Sequence, residues 1–195
     1  MPGPRVAVIG TGGTISSVGR HGLDLVAYLE NNKIYEVDEL LNAFPETLEQ
    51  GEVIPVRLRA MPSTSIGPSE WLEINEKIHQ LVADDPSLNG IVITHGTATL
   101  EETAYFMNLV VKVDIPVVLV GAQRPASGMG TDSGINLVNA IRTAGHPDSR
   151  GRGVLGVLND EIHFSRDMTK TSTLRQQTFK SPDFGLLGHA DWDKI

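Results

Sequence analysis

The sequence predicts an α/β fold, with a mostly parallel sheet and helices on both of its faces. Short runs rich in valine and isoleucine alternate with segments of helical period, which is typical of parallel strands joined by crossover helices. The runs are continuously apolar, and this indicates strands covered on both faces. With 195 residues, 40% of them hydrophobic, the chain is long enough to form one such domain around its own core.

Five strands are expected, each a short apolar run bounded by turn-forming residues. They are Val6–Ile9, Val53–Leu58, Ile91–Thr94, Val117–Val120 and Val154–Leu158.

Four helices are expected between these strands, namely Val37–Phe44, Ser69–Val82, Leu100–Val111 and Ile135–Ala144. The second has well-marked ends, because Pro68 and Glu70 suit a first turn and Asp84-Asp85-Pro86 favours a stop.

Two regions interrupt the alternation of strands and helices. The polar segment Ser16–Lys33 is a candidate lid, and the stretch after Asn159 predicts short strands without a closing helix before Trp192-Asp193-Lys194-Ile195.

Composition excludes several classes of protein. The 24 acidic residues outnumber the 16 lysines and arginines, and the net charge of -8 disfavours nucleic-acid binding. The absence of cysteine excludes disulfides, cysteine–zinc sites and cysteine nucleophiles. No run approaches the ~20 apolar residues of a membrane span, and the residues from Met1 do not resemble a secretory leader. We therefore expect a cytoplasmic protein that does not bind membranes.

Two threonine-bearing turns follow predicted strands, one at Gly10-Thr-Gly-Gly-Thr-Ile15 and one beginning at Thr94-His-Gly-Thr97. Both should lie at the carboxyl edge of the sheet, where α/β proteins bind ligands. A dinucleotide-binding loop is disfavoured because Ile15 stands where its third glycine is needed, and no phosphate-binding Gly-Lys-Ser/Thr motif follows. A simple tight turn stays an alternative for the first motif, and a helix N-cap is the preferred interpretation of Thr99.

A threonine hydroxyl is a poor nucleophile and needs a base. Tyr28 and Lys170 are the candidate activators, although each also has an ordinary structural interpretation, as a loop anchor and as a surface charge. His95 is interpreted as a residue that orients its turn. The other histidines lack metal-ligand spacing, so we expect no catalytic metal and no cofactor.

With these residues in view, the sequence resembles the bacterial-type L-asparaginase/glutaminase family, specifically its N-terminal domain. The resemblance rests on ordered motifs along most of the chain. They are Thr11-Gly-Gly-Thr-Ile-Ser16, Ile93-Thr-His-Gly-Thr-Ala-Thr-Leu-Glu-Glu-Thr-Ala-Tyr105, Val117-Val-Leu-Val-Gly-Ala-Gln-Arg-Pro125, Asn136-Leu-Val-Asn-Ala140, Gly153–Asn159, Arg166-Asp-Met-Thr-Lys-Thr171 and Phe179-Lys-Ser181.

The resemblance implies hydrolysis of a side-chain amide through an acyl-enzyme, with release of ammonia. It implies Thr14 as nucleophile with Tyr28 as partner, Thr97 as a second hydroxyl with Lys170 as its base, and an oxyanion site at the main-chain N–H groups of the two threonines. The substrate-binding residues that it implies are Ser63, Thr64, Gly96, Ala98 and Ala122. The resemblance also implies a small-molecule amide substrate and a homo-oligomer, with a homotetramer expected of the full-length parent.

Two departures from the family bear on the substrate. Ala98 stands where the family usually has an aspartate that binds the substrate α-amino group, and Thr64 stands where many members have a glutamine. Losing a charged partner of a desolvated ammonium costs about 2–5 kcal/mol. The family's smaller C-terminal domain is also absent from residues 1–195, so we expect these residues alone to have little or no activity.

Three hypotheses follow. The first is a threonine amidohydrolase with L-asparagine as the default substrate. The second is an amidase for a small amide that lacks a free α-amino group, and the third is a non-catalytic domain for ligand binding or assembly.

Overall fold

The computed structural model describes residues 3–191 and 194–195, so the expected start at Met1 and the pair Trp192-Asp193 lie outside the described residues. All five predicted strands and all four predicted helices are present. The strands are β1 (Arg5–Gly12), β2 (Glu52–Met61), β3 (Gly90–Thr94), β4 (Val117–Val120), β5 (Val154–Leu158), β6 (Glu161–Phe164), β7 (Thr169–Lys170), β8 (Phe179–Lys180) and β9 (Gly188–His189). The helices are α1 (Val37–Ala43), α2 (Pro68–Asp84), α3 (Leu100–Val110) and α4 (Ser133–Gly145).

The described strands form a main sheet in the order β2-β1-β3-β4-β5-β6-β9 and a small separate pair, β7-β8. Neighbours from β2 to β5 are parallel, and β6 and β9 are added antiparallel. In the parallel part, Ile93 aligns with Ile9 on one side and with Leu119 on the other. The predicted mostly parallel sheet is confirmed, and the carboxyl ends of β1, β3 and β4 lie side by side.

Each face of the sheet carries its own apolar core. Val8, Val92 and Val118 pack with residues of α1 and α4, whereas Ile9, Ile93 and Leu119 pack with residues of α2 and α3. Successive residues of a strand point to opposite faces, so a continuous apolar run fills both cores. This confirms helices on both faces.

The expectation of strands covered on both faces is wrong for β2. Its exposure alternates along the strand, and Arg57 and Arg59 point outward to acidic partners, Asp38 and Glu73. β2 is more exposed than the other parallel strands because it lies at the edge of the sheet, where it has a strand neighbour on one side only.

Helix α2 begins and ends at the predicted signals. Pro68 is its first residue, the Glu70 carboxylate accepts a hydrogen bond from the Gly67 N–H at 2.9 Å, and Asp85 terminates it. Beyond Asn159 the described chain forms the short strands β6 to β9, as expected. Among the described residues, no helix is long and apolar enough to cross a membrane.

Candidate active site

A cavity of about 240 Å³ opens at the carboxyl edge of the sheet, next to the ends of β1, β3 and β4. Residues from both threonine-bearing turns line it, together with the predicted lid, the segment after β2 and the segment after β7. The lining residues are Gly13, Thr14, Leu25, Val26, Tyr28, Leu29, Pro62, Ser63, Thr64, Gly96, Thr97, Ala98, Gln123, Lys170, Thr173 and Leu174.

The two turns meet through glycine backbone. Gly13 has a φ of 85°, in the left-handed region that favours glycine, and a Cβ added there would lie 2.2 Å from the Gly96 nitrogen. The buried Thr11 hydroxyl donates to the Thr94 carbonyl at 2.6 Å and so joins the ends of β1 and β3. Thr11 is therefore a structural residue, while the following threonine, Thr14, faces the cavity.

The first hydroxyl pair consists of Thr14 and Tyr28. Their oxygens lie 2.8 Å apart, and either can be the donor. Tyr28 belongs to the segment predicted as a lid, and this segment lies over the cavity through Leu25, Val26 and Leu29. The structure thus brings together two residues that the sequence separates by a glycine-rich loop.

That loop is held at both ends and in its middle. The Val18 N–H donates to the Lys33 carbonyl at 2.9 Å, and the Met129 N–H donates to the Gly22 carbonyl at 2.7 Å. These main-chain bonds fix the path of the segment that positions Tyr28.

The second pair consists of Thr97 and Lys170. The ammonium of Lys170 donates to the Thr97 hydroxyl oxygen at 2.7 Å. Partial burial lowers the pKa of Lys170, and the negative charge of Glu101 acts in the opposite direction. A lysine whose pKa is lowered is a better base near neutral pH than a solvent-exposed lysine.

Glu101 also fixes the main chain around Lys170. Its carboxylate accepts a hydrogen bond from the Lys170 main-chain N–H and another from the Thr169 hydroxyl, the latter at 3.1 Å. The first turn of α3 thereby anchors β7, which explains how a lysine far along the chain reaches the turn after β3.

His95 has the structural role that was predicted. It is fully buried, with Nδ1 2.8 Å from the Gly96 carbonyl oxygen and Nε2 3.0 Å from the Thr103 hydroxyl. Burial lowers its pKa to about 4, so the ring is neutral near pH 7. Since the Trp71 indole also donates to Thr103, at 2.8 Å, the turn is joined through His95 to α2 and α3.

The capping role expected for Thr99 is wrong in one respect. Thr99 does precede the first residue of α3, but its side chain makes no capping hydrogen bond. The hydroxyl instead donates to the Ser63 carbonyl at 2.8 Å. The geometry favours this contact because the segment after β2 packs directly beneath the second turn.

Four of the five expected substrate-binding residues, Ser63, Thr64, Gly96 and Ala98, line the cavity. Ala122 does not, because its side chain is fully buried in the core shared with α1 and α4. The next residue, Gln123, lines the cavity and was missed. Its signal in the sequence was a polar side chain just beyond the carboxyl end of β4.

The cavity lining contains a basic side chain but no acidic one. Lys170 and Tyr28 are its titratable lining residues, and no aspartate or glutamate belongs to the lining set given above. In the part of the chain that the structure describes, no cluster of three or more histidine, aspartate or glutamate side chains could hold a metal ion.

The fold and the cavity define a doubly wound α/β domain with a pocket at the carboxyl edge of its parallel strands. The sequence model described as "Asparaginase, N-terminal" matches residues 5–195. The chain belongs to the asparaginase family.

Named relatives and one solved structure support this assignment. The chain is 40% identical to L-asparaginase 2 of Bacillus subtilis over 95% of its own length and 48% of the relative. It is 40% identical to Glutaminase-asparaginase of Pseudomonas fluorescens over 94% of its length and 50% of the relative. The crystal structure of a probable cytoplasmic L-asparaginase from Campylobacter jejuni superposes with a TM-score of 0.88 at 36% identity, covering 95% of this chain and 55% of the other. The chain thus spans about half the length of the curated relatives it matches.

Proposed function

We propose that this protein is an amidohydrolase in which the Thr14 hydroxyl attacks the carbonyl carbon of a small side-chain carboxamide, with L-asparagine as the default substrate. One observation carries the proposal: two threonine hydroxyls share one pocket, and each lies within 2.8 Å of a group that can exchange a proton with it. Family membership and the names of the relatives support the same chemistry.

The attack forms a bond between Thr14 Oγ1 and the amide carbon while the hydroxyl proton passes to the Tyr28 oxygen, and Tyr28 passes its own phenolic proton on to the leaving nitrogen. The negative charge that develops on the amide oxygen needs N–H donors, and the main-chain N–H groups of Thr14 and Thr97 are assigned this role. The leaving nitrogen takes up a proton and departs as ammonia. Water then hydrolyses the ester and regenerates the Thr14 hydroxyl.

Thr14 is assigned as the nucleophile rather than Thr97 because the two side chains differ in access. Thr97 is only 5% exposed and has polar partners on two sides, whereas Thr14 is partly exposed to the cavity. Lys170 is assigned as the base that takes the proton of Thr97, and Ser63 and Thr64 as the groups that hold a substrate carboxylate.

The test is ammonia release from L-asparagine and L-glutamine by the intact protein and by two variants. Thr14→Ala should abolish release, whereas Thr14→Ser, which keeps a hydroxyl, should retain part of it. Mass spectrometry should detect an acyl-enzyme on the wild type and none on Thr14→Ala. Equal activity of Thr14→Ala and wild type would overturn the proposal and leave a ligand-binding or assembly domain.

A second candidate function is favoured by the absence of carboxylates from the cavity lining described above. A free α-ammonium finds no acidic partner there, whereas a carboxylate finds the hydroxyls of Ser63 and Thr64. This chemistry suits an amide without a free amino group. The discriminating measurement is kcat/KM for succinamate against asparagine, in the wild type and in Ala98→Asp, which adds a carboxylate to the exposed position beside Thr97.

If the second candidate is correct, the wild type prefers succinamate and Ala98→Asp shifts the ratio towards asparagine, by about 30-fold or more. If the wild type already prefers asparagine, the default substrate stands. Gln80→Glu serves as the matched control, because it also adds a carboxylate at an exposed position, but outside the cavity lining.

We further propose that residues 1–195 form the catalytic N-terminal domain of a cytoplasmic homotetramer. The support is the family match to an N-terminal domain, the C. jejuni neighbour named as cytoplasmic, and exposed apolar side chains at the cavity mouth, such as Val26 and Leu174. A relative from Haemophilus influenzae is named as a probable periplasmic L-asparaginase. Cell fractionation and analytical ultracentrifugation of the intact protein test location and assembly.

A further inference from the structure

Gln123 is a second polar partner of Thr97, beside Lys170. The Thr97 hydroxyl donates to Gln123 Oε1 at 3.3 Å while its oxygen accepts the 2.7 Å hydrogen bond from Lys170. The Thr97 hydroxyl is therefore a hydrogen-bond donor to Gln123 and a hydrogen-bond acceptor from Lys170. Gln123 is itself buried, at 8% exposure, so water competes little for its carbonyl.

The orientation of the Gln123 amide is determined by its other partner. Its Nε2 donates to the Ser172 main-chain carbonyl at 3.3 Å. A carbonyl oxygen can only accept, so the amide nitrogen must face Ser172 and the amide oxygen must face Thr97. The N–H of Ser172 is bonded in turn to the Thr178 hydroxyl at 2.8 Å, which holds this segment in place.

The main chain of Gln123 is fixed as well. Its N–H donates to the Asp132 carboxylate at 3.0 Å, and Asn136 of α4 donates to the same carboxylate oxygen at 3.0 Å. Asp132 precedes α4 and is nearly buried. Gln123 is thus held at both its backbone and its side chain, with one carbonyl oxygen directed at Thr97.

We propose that Gln123 is a positioning residue that holds the Thr97 proton away from Lys170 while Lys170 is charged. This inference rests on the proposed function, in which Lys170 is the base for Thr97. When Lys170 is an ammonium, it needs the Thr97 oxygen as an acceptor, and Gln123 accepts the Thr97 proton. When Lys170 is neutral, the hydroxyl rotates and its proton moves to Nζ, so that the O–H bond breaks and Lys170 becomes the ammonium again. The Thr97 oxygen takes up a proton in exchange from the water whose oxygen attacks the ester.

The side chain at position 123 should raise or lower the pKa of Lys170 in a direction that depends on its chemistry. The glutamine carbonyl stabilises the arrangement in which Lys170 is charged, because only then does the hydroxyl proton point towards it. Removing that carbonyl therefore favours neutral Lys170, and replacing it with a carboxylate favours the ammonium. The charged or titratable groups near these side chains in the described structure are Glu101 of α3, which contacts the main chain of β7, Asp132, which contacts the main chain of Gln123, and Tyr28, which lines the same cavity.

The experiment measures the pKa of Lys170 directly, by NMR of lysine-labelled protein, with the Lys170 signal assigned through Lys170→Met. Gln123→Met, similar in size but without an amide, should lower the pKa of Lys170 and shift its protonation equilibrium by about 2- to 10-fold, the range of one ordinary hydrogen bond. Gln123→Glu should raise that pKa.

A double-variant comparison separates positioning from a merely structural role. In a Thr97→Val background, which keeps the shape of the side chain but has no hydroxyl, Gln123→Met should leave the pKa of Lys170 unchanged. A full effect of Gln123→Met in that background, or no effect in the wild type, overturns the proposal. The pKa is read without turnover, so failure of this inference is distinguishable from failure of the proposed amidohydrolase activity.

Discussion

The hydroxyl oxygens of Thr14 and Tyr28 lie 2.8 Å apart, although one follows β1 directly and the other lies on the loop that covers the cavity. If Thr14 is the nucleophile, as proposed, this contact makes its activation depend on the position of the loop. Tyr28→Phe removes only the hydroxyl, so kcat is expected to fall by about 10²- to 10⁴-fold, the range for a positioned proton-transfer group. Steady-state ammonia release by the intact protein measures this loss.

Tyr35→Phe is the matched control for that variant, because Tyr35 packs against the core rather than lining the cavity. It should leave kcat within twofold or so of the wild type. Equal losses in the two variants would show that tyrosine hydroxyls matter for folding and not for the activation of Thr14.

Glu101 is expected to determine the pH range in which Lys170 acts as a base. Burial lowers the pKa of Lys170 and the Glu101 charge raises it, so Glu101→Gln removes the opposing effect and lowers the pKa further. The rising limb of kcat/KM against pH, which requires neutral lysine, should then move to lower pH. Glu102→Gln is the control, since this neighbour is exposed on the same helical turn; a shift of equal size in both variants would contradict a specific role for Glu101.

Stability should fall as the pH is lowered from about 6.5 to about 4, because two buried histidines must take up protons on unfolding. Burial lowers the pKa of His95 and of His163 to about 4, from an ordinary value of 6.5. Between these values the unfolded state binds more protons, and the free energy of unfolding falls by about 1.4 kcal/mol per pH unit for each histidine. Above pH 6.5 their contribution is complete.

Urea unfolding at several pH values from 4.5 to 7 in ~0.5 steps measures this slope. In His95→Gln, the unfolding free energy should depend less steeply on pH, because only His163 then takes up a proton on unfolding. This holds whatever the stability of the variant at pH 7. A slope identical to that of the wild type would mean that His95 has an ordinary pKa in the folded protein.

Gly13→Ala should damage both stability and activity. Its φ of 85° strains an alanine by about 1–2 kcal/mol, and the added Cβ would lie 2.2 Å from the Gly96 nitrogen. Gly151→Ala isolates the strain, because Gly151 has a similar φ of 71° and nothing within 4 Å of an added Cβ. Thermal or urea unfolding should show that the free energy of unfolding falls by about 1–2 kcal/mol in Gly151→Ala and by clearly more in Gly13→Ala. Equal losses in the two variants would show that stability does not depend on the close approach of the two turns.

The elements of this fold could be predicted because their signals are local. A run such as Val117–Val120 is apolar in every position, and the ends of α2 are marked by Pro68 and by Asp85. The exposure of β2 could not be predicted in this way, because it depends on the place of the strand in the sheet order.

Residue chemistry and resemblance together predict the pairs Thr14–Tyr28 and Thr97–Lys170, and the two members of each pair lie within hydrogen-bond distance. The catalytic roles of these residues stay predictions. Ala122 is expected from the resemblance, and Gln123 is not among the expected residues. Which of two successive residues faces the cavity depends on how the chain leaves β4 and is held by Asp132, a contact between segments that no local pattern reports.

The backbone contact between Gly13 and Gly96 has a consequence for how this protein can change over time. Because the two turns touch main chain to main chain, no side chain lies between them that could be exchanged to adjust their spacing. The positions of Thr14 and Thr97 are therefore coupled, because a shift of one turn displaces the other. The shape of the pocket is therefore more easily changed at lining side chains outside this contact, such as Thr64 and Leu174.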